Sequence, residues 1–139
     1  MAEFGVKEAE DLIGRIFAPW IVDLGLKPLT FDATGGDFQL PENRKLVHVG
    51  GVVCGQATAA AADTASVVTL SALNGRFRVC ATVDLTTHFI RPLSPAEIQI
   101  RVDVLSNGKR MAFTRVEMRA QEDPRVAVSA TMAFSYLDD

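Results

Sequence analysis

Between Lys45 and Arg76 the chain carries one formal charge, Asp63, and no proline. Residues 54–75 read CGQATAAAADTASVVTLSALNG, a run rich in alanine whose intrinsic preference is helical, and Gly75 after Asn74 supplies a helix stop. Apolar or small residues fall on every side of that helix, the pattern of a helix enclosed by the rest of a fold. A lone carboxylate there finds a partner, shifts its pKa or does chemistry, because an ionised group taken unpaired out of water costs on the order of several kcal/mol. The alternative is that Asp63 sits on one solvated stripe.

At 139 residues the chain is expected to form a single domain over 1–139, large enough for its own core, with a helical lead over 1–24. Hydrophobic residues make up 48% and charged residues 22%, which places it among soluble globular chains. The net charge of −3 gives no electrostatic reason to expect nucleic acid or an anionic membrane as partner. The two cysteines, Cys54 and Cys80, lack metal-ligand spacing and read as reduced thiols. With acidic residues where a secretory signal is basic then apolar, and no stretch of transmembrane length, the expected location is cytoplasmic.

Leu12, Ile13, Ile16, Phe17, Trp20 and Ile21 recur at helical spacing, predicting an amphipathic first helix disturbed at Pro19. Residues 26–32 and 37–40 flank a turn-like Ala33-Thr34-Gly35-Gly36, predicting a hairpin. Strands are predicted over 77–90, 97–105, 111–120 and 125–136, separated by Arg91-Pro92, Ser106-Asn107-Gly108 and Glu122-Asp123-Pro124. Short connections make consecutive strands largely antiparallel, so the expected class is α+β, an antiparallel meander curled around one long helix.

Gly50-Gly51-Val52-Val53-Cys54-Gly55-Gln56, leading into Ala62-Asp63-Thr64-Ala65, resembles the signature of hotdog-fold acyl-CoA thioesterases of the phenylacetate-degradation type. Thr82-Val83-Asp84-Leu85-Thr86-Thr87-His88-Phe89-Ile90-Arg91-Pro92 resembles the family's strand ending in Phe-Leu-Arg-Pro. Ser106-Asn107-Gly108-Lys109-Arg110 resembles its glycine and cation hairpin, so the likeness runs in order over residues 20–137.

The resemblance implies a hydrolase that cleaves an acyl-CoA thioester, with Asp63 as general base or nucleophile. It implies that the backbone N–H of Gly55, at a helix N-terminus, polarises the thioester oxygen, and that Thr82 places a hydroxyl near the attacking water. His48 stands where relatives place an asparagine that holds the carbonyl; an ordinary loop histidine is the alternative. Cys54 replaces the family's His or Ser, and Gln56 its Gly or Pro. Cys54 is then either a packing residue or, with a pKa lowered by the helix terminus, a nucleophile. Arg91, Lys109 and Arg110 are the cations suited to CoA phosphates. No cofactor is implied beyond the substrate's own CoA, and no metal. The family's sites lie in the seam between two chains, implying a homodimer, doubled to a homotetramer. The altered Cys54 and Gln56 leave open a hotdog protein that binds acyl-CoA or a partner without turnover.

Overall fold

The alanine-rich run folds as one 20-residue helix with Cys54 as N-cap and Gly75 as C-cap, the glycine in the left-handed region at φ 75° that the stop signal anticipates. The computed structural model describes residues 4–138, so the first three residues of the expected lead and Asp139 lie outside it. Its helices are α1 (Val6–Ile16), α2 (Pro19–Val22) and α3 (Gly55–Asn74). Its strands are β1 (Lys27–Phe31), β2 (Gly35–Leu40), β3 (Cys80–Phe89), β4 (Ile98–Asn107), β5 (Met111–Ala120) and β6 (Val128–Tyr136).

All six strands join one antiparallel sheet in the order β1-β2-β4-β5-β6-β3. Helix α3 lies across it and touches every strand. Close approach follows from side-chain size, since Ala61, Ala62 and Ala65 are fully buried and leave room for Phe38, Leu40, Ile100 and Phe134 from the sheet. Buried hydroxyls on α3 are satisfied locally: Thr64 donates to Ala60 O at 2.8 Å and Thr69 to Ala65 O at 2.8 Å, while Ser66 pairs with Thr114 of β5 at 2.9 Å.

Two expectations need correction. The four later strands do not form a simple meander, because β3 pairs with β6 at the sheet edge rather than with β4. The connector after β3 crosses the end of the sheet, held by Ile90 N–H and Arg91 N–H on Ala127 O and by buried Leu93. Nor is α3 enclosed all round. Ala59, Ala60, Asp63 and Val67 form a half-open stripe along it, because no element of the described chain covers that face completely.

The lead breaks where expected. Ala18, before Pro19, is extended at ψ 150°, as the proline ring requires of its predecessor, and α2 starts at Pro19. Ala9, Leu12 and Ile13 are buried, whereas Trp20 is 58% exposed. The predicted hairpin is β1-β2, its turn held by Asp32 Oδ1 accepting the N–H groups of Thr34 and Gly35 at 2.9 Å each. Arg101 of β4 donates to Asp32, Asp37 and Asp103, tying the hairpin to the sheet and holding the Asp32 carboxyl far below the usual range.

Gly35 is a fixed point of this sheet, since a Cβ there would lie 1.9 Å from the Val102 carbonyl oxygen, which is backbone and cannot turn aside. Gly35→Ala is expected to lower stability by about 3 kcal/mol. Gly14→Ala, in α1 with no atom within 4 Å of the added Cβ, is expected to raise it by up to about 1 kcal/mol. Urea unfolding of the two variants checks both signs.

Candidate active site

Asp63 lies on the third turn of α3, half-buried, and its Oδ1 accepts a 2.8 Å hydrogen bond from the Thr82 hydroxyl of β3. The two side chains therefore meet. Desolvation by burial pushes the Asp63 carboxyl above its ordinary value, and the Thr82 bond, which favours the ionised form, pulls it partly back. The pair opens on a cleft of about 470 Å³ whose other walls include Ile16, Phe17, Trp20, Val67, Phe77 and Leu85. Cys80 lines the same cleft, and burial, then the charge of Asp63, raises its thiol pKa, so the thiol stays protonated.

A register shift between Thr82 and Asp84 of β3, opposite Phe134 and Ala133, changes which residues face α3. Before it Cys80 and Thr82 face the helix; after it Leu85 and Phe89 do, with Thr87 between them by alternation. The Thr87 hydroxyl is buried with no partner among the described residues. Without the shift, Thr82 and Phe89 could not both point at α3. His88 alternates with Thr87 and is exposed.

The N-terminus of α3 forms a second centre. Gly55 is the first helical residue, and the N–H groups of Gly55 and Gln56 have no acceptor among the described residues. His48 Nδ1 accepts the Gly50 N–H at 2.8 Å, which leaves Nε2 as the ring nitrogen that can donate. Gly50 must be small because a Cβ there would sit 2.6 Å from His48 Cε1. His48, Gly55, Phe89 and Arg91 line a cleft of about 280 Å³. The ring of Phe89 lies where a Gly55 Cβ would be, 2.9 Å from it, so the glycine makes room for an aromatic of its own chain.

The remaining candidates lie apart. Cys54 caps α3 through its extended backbone, makes no side-chain capping bond and packs against the core, so the packing reading describes its surroundings. Cys54 and Gln56 line a third cleft of about 570 Å³ with Trp20 and Lys45. Lys109 and Arg110 follow β4 at the opposite end of α3, where Asn107 bonds Asn74 at 2.8 Å. A 20-residue helix is about 30 Å long, so Arg91 and these two cations of one chain cannot grip one phosphate together. Asp63 itself is eight residues beyond Gly55, about 12 Å along the axis and about 80° around it. One chain therefore does not bring the carboxylate and the Gly55 N–H to a single carbonyl group.

Sequence reasoning missed Cys80 and Leu85 beside Asp63 and Phe89 over Gly55. Alternation from Thr82 reaches Cys80; Leu85 and Phe89 are out of phase with it until the bulge is known. Among the described residues no group of three His, Cys, Asp or Glu side chains could hold a metal ion, and no helix is long and apolar enough to cross a membrane.

The acyl-CoA thioesterase N-terminal domain family matches residues 42–135. No curated protein matches the chain. Among solved structures, a thioesterase from Haemophilus influenzae superposes with TM-score 0.86 at 15% identity, over 99% of this chain and 93% of that one. A thioesterase family protein from Silicibacter pomeroyi does so with TM-score 0.83 at 18% identity, over 96% and 98%. A phenylacetic acid degradation-related protein from Ralstonia eutropha gives 0.78 at 18%, over 91% and 98%. These likenesses are of fold, and that fold is the hotdog arrangement that the family resemblance implied.

The raised Asp63 pKa makes a signed prediction. The native carboxyl keeps its proton to higher pH than the unfolded one, so its ionisation opposes folding as pH rises from about 3.8 through the raised value. Asp63→Asn is therefore expected to match the parent's melting temperature at low pH and exceed it above that window. In ¹³C-carboxylate titrations Thr82→Val should move the Asp63 midpoint further up, since the bond that favours the ion is gone.

Proposed function

This chain belongs to the acyl-CoA thioesterase family, and from that membership we propose that it hydrolyses an acyl-CoA thioester to the free acid and CoA at a site assembled from two copies of itself. The observation that carries the reading is the carboxylate of Asp63, half-buried, bonded through one oxygen to Thr82 and open to an apolar cleft. Its other oxygen, Oδ2, has no partner among the described side chains and is free to act. A carboxylate with a raised pKa is a stronger base near neutral pH than a solvated one. It takes a proton from water as the oxygen attacks the thioester carbon, or attacks that carbon itself to give a mixed anhydride that water then opens. Thr82 orients the carboxylate in either route.

The developing oxyanion needs a donor aimed at it. The unpartnered Gly55 N–H at the positive end of α3 supplies one, and His48 Nε2–H, on the same cleft, supplies a second. In the general-base route collapse of the tetrahedral species expels the CoA thiolate, which takes the proton held by Asp63. In the nucleophilic route the thiolate leaves as the anhydride forms and takes its proton from solvent, and water then opens the anhydride to the free acid and the Asp63 carboxylate. Arg91, beside this cleft, is the cation best placed for the phosphates of CoA.

Two copies are needed because the base and the oxyanion donor of one chain are too far apart. β3 supports the way they meet. It is a ten-residue edge strand whose outer side is unpaired among the described residues, and Val83, Leu85 and Phe89 on it are 60%, 38% and 58% exposed. A long apolar edge of this kind pairs with another strand. Antiparallel pairing of β3 with its own copy sets the Thr82 end of one chain against the Phe89 end of the other, and so Asp63 against the partner's α3 N-terminus.

Asp63→Asn is expected to abolish thiol release from acyl-CoA, followed with a thiol reagent, while the protein stays folded. Gly55→Pro removes the N–H at a first helical position whose backbone suits proline, after a residue already extended; the exposed Phe89 ring, 2.9 Å from the added Cβ, turns aside, and kcat is expected to fall by about 10²-fold to 10³-fold. Unfolding and reassembling the two variants in equal amounts makes half the dimers mixed, each with one intact site, so about a quarter of parental activity should return. Mixed dimers confirmed by mass but no more active than the variants alone would exclude the shared site. The acid limb of the kcat/KM profile should lie above pH 3.8 and move up in Thr82→Val.

A further inference from the structure

We infer that Trp20 is the end wall of the acyl-binding chamber and sets the longest apolar acyl group the enzyme accepts; the inference rests on Asp63 being the hydrolytic centre. The cleft that holds Asp63 has one charged lining residue, Asp63 itself, and its far side is built by the lead segment from Ile16, Phe17, Trp20 and Ile21. A chamber of about 470 Å³ with such walls takes an uncharged, apolar acyl group, since a charged one would face hydrocarbon without a partner.

Trp20 has a second neighbourhood. It also lines the cleft of about 570 Å³ on the other side of the lead, whose remaining walls include Asp23, Asn43, Lys45 and Gln56. The indole is thus the shared partition between the apolar chamber and a cleft that mixes those polar groups with Leu24, Leu46 and Ala57. It is 58% exposed and takes part in no hydrogen bond or aromatic contact among the described residues, so its removal opens the partition without emptying the core. Pro19, immediately before it, fixes the backbone from which the partition stands. An acyl chain growing away from Asp63 meets the indole face, and each added methylene gains apolar contact until the chain reaches it. Beyond that length the chain must displace the ring or bend back.

The test is hydrolysis of straight-chain acyl-CoAs from butanoyl to hexadecanoyl by the full chain, Trp20→Ala and Trp20→Phe. Parental kcat/KM should climb with chain length to a turning point and then fall. In Trp20→Ala the turning point moves to longer chains, and kcat/KM beyond the parental optimum rises about tenfold or more, with Trp20→Phe between the two. Trp20 is the sole tryptophan, so its emission is a readout that needs no turnover. In Asp63→Asn protein, titration with the same series should shift the emission, increasingly up to the same turning point, while CoA alone leaves it unmoved. A folded Trp20→Ala whose length profile keeps the parental shape, or emission that ignores acyl chains bound by calorimetry, overturns the wall. If no acyl-CoA is hydrolysed but the emission follows chain length, the hydrolytic reading fails and the wall stands.

Discussion

Everything in this molecule is arranged around the burial of one helix of small residues against a curved antiparallel sheet. Alanines 61, 62 and 65 let the axis of α3 come close enough to touch all six strands, and the large side chains that fill the remaining space come from the sheet. Each fully buried Leu, Ile or Phe contributes roughly 1.5–3 kcal/mol of transfer free energy, so the sheet side of this interface supplies most of the drive to fold. Serine and threonine on the same helix are tolerated because their hydroxyls bond back to the helix or to β5.

That economy of side-chain volume also exposes the helix to chemistry. Where α3 turns its Ala59, Ala60 and Val67 stripe away from the sheet, the small residues leave a cleft, and the lone carboxylate lies within it. Burial raises the Asp63 pKa, a cost in stability at neutral pH that Thr82 reduces without abolishing. A carboxylate held at such a cost is what a base or nucleophile requires. The start of the same helix has no capping side chain and leaves N–H groups unpaired among the described residues. Asp63 and the Gly55 N–H thus belong to one helix, which keeps them about 12 Å apart, and under the proposed reading a second chain is what unites them.

The edge strand β3 connects these features. Its outer side is apolar and unpaired among the described residues, its inner face carries Thr82 to Asp63 and Phe89 to Gly55, and a single bulge allows both. In the proposed reading, assembly and catalysis draw on the same ten residues.

From residue order alone came the long helix, its stop at Gly75, the break at Pro19, the β1-β2 hairpin and, to within a few residues, every later strand. These are local properties: propensity, proline geometry and alternation act within a turn or two of the chain. The isolation of Asp63 was legible for the same reason, because a charge among alanines is visible without coordinates, and Thr82 followed from the likeness of its strand to a family pattern. The place of β3 at the sheet edge was not legible, since strand order depends on which partners compete across the whole sheet. Nor was the bulge, which puts Leu85 and Phe89 on the face that even-numbered Thr82 had claimed. Trp20 read as one more apolar position of an amphipathic lead; its standing between two clefts arises only when α2 packs beside α3. The separation of Gly55 from Asp63 is written in their spacing. Its consequence emerged from the clefts at the two positions, because a site is a meeting of surfaces and surfaces exist only once the chain has folded.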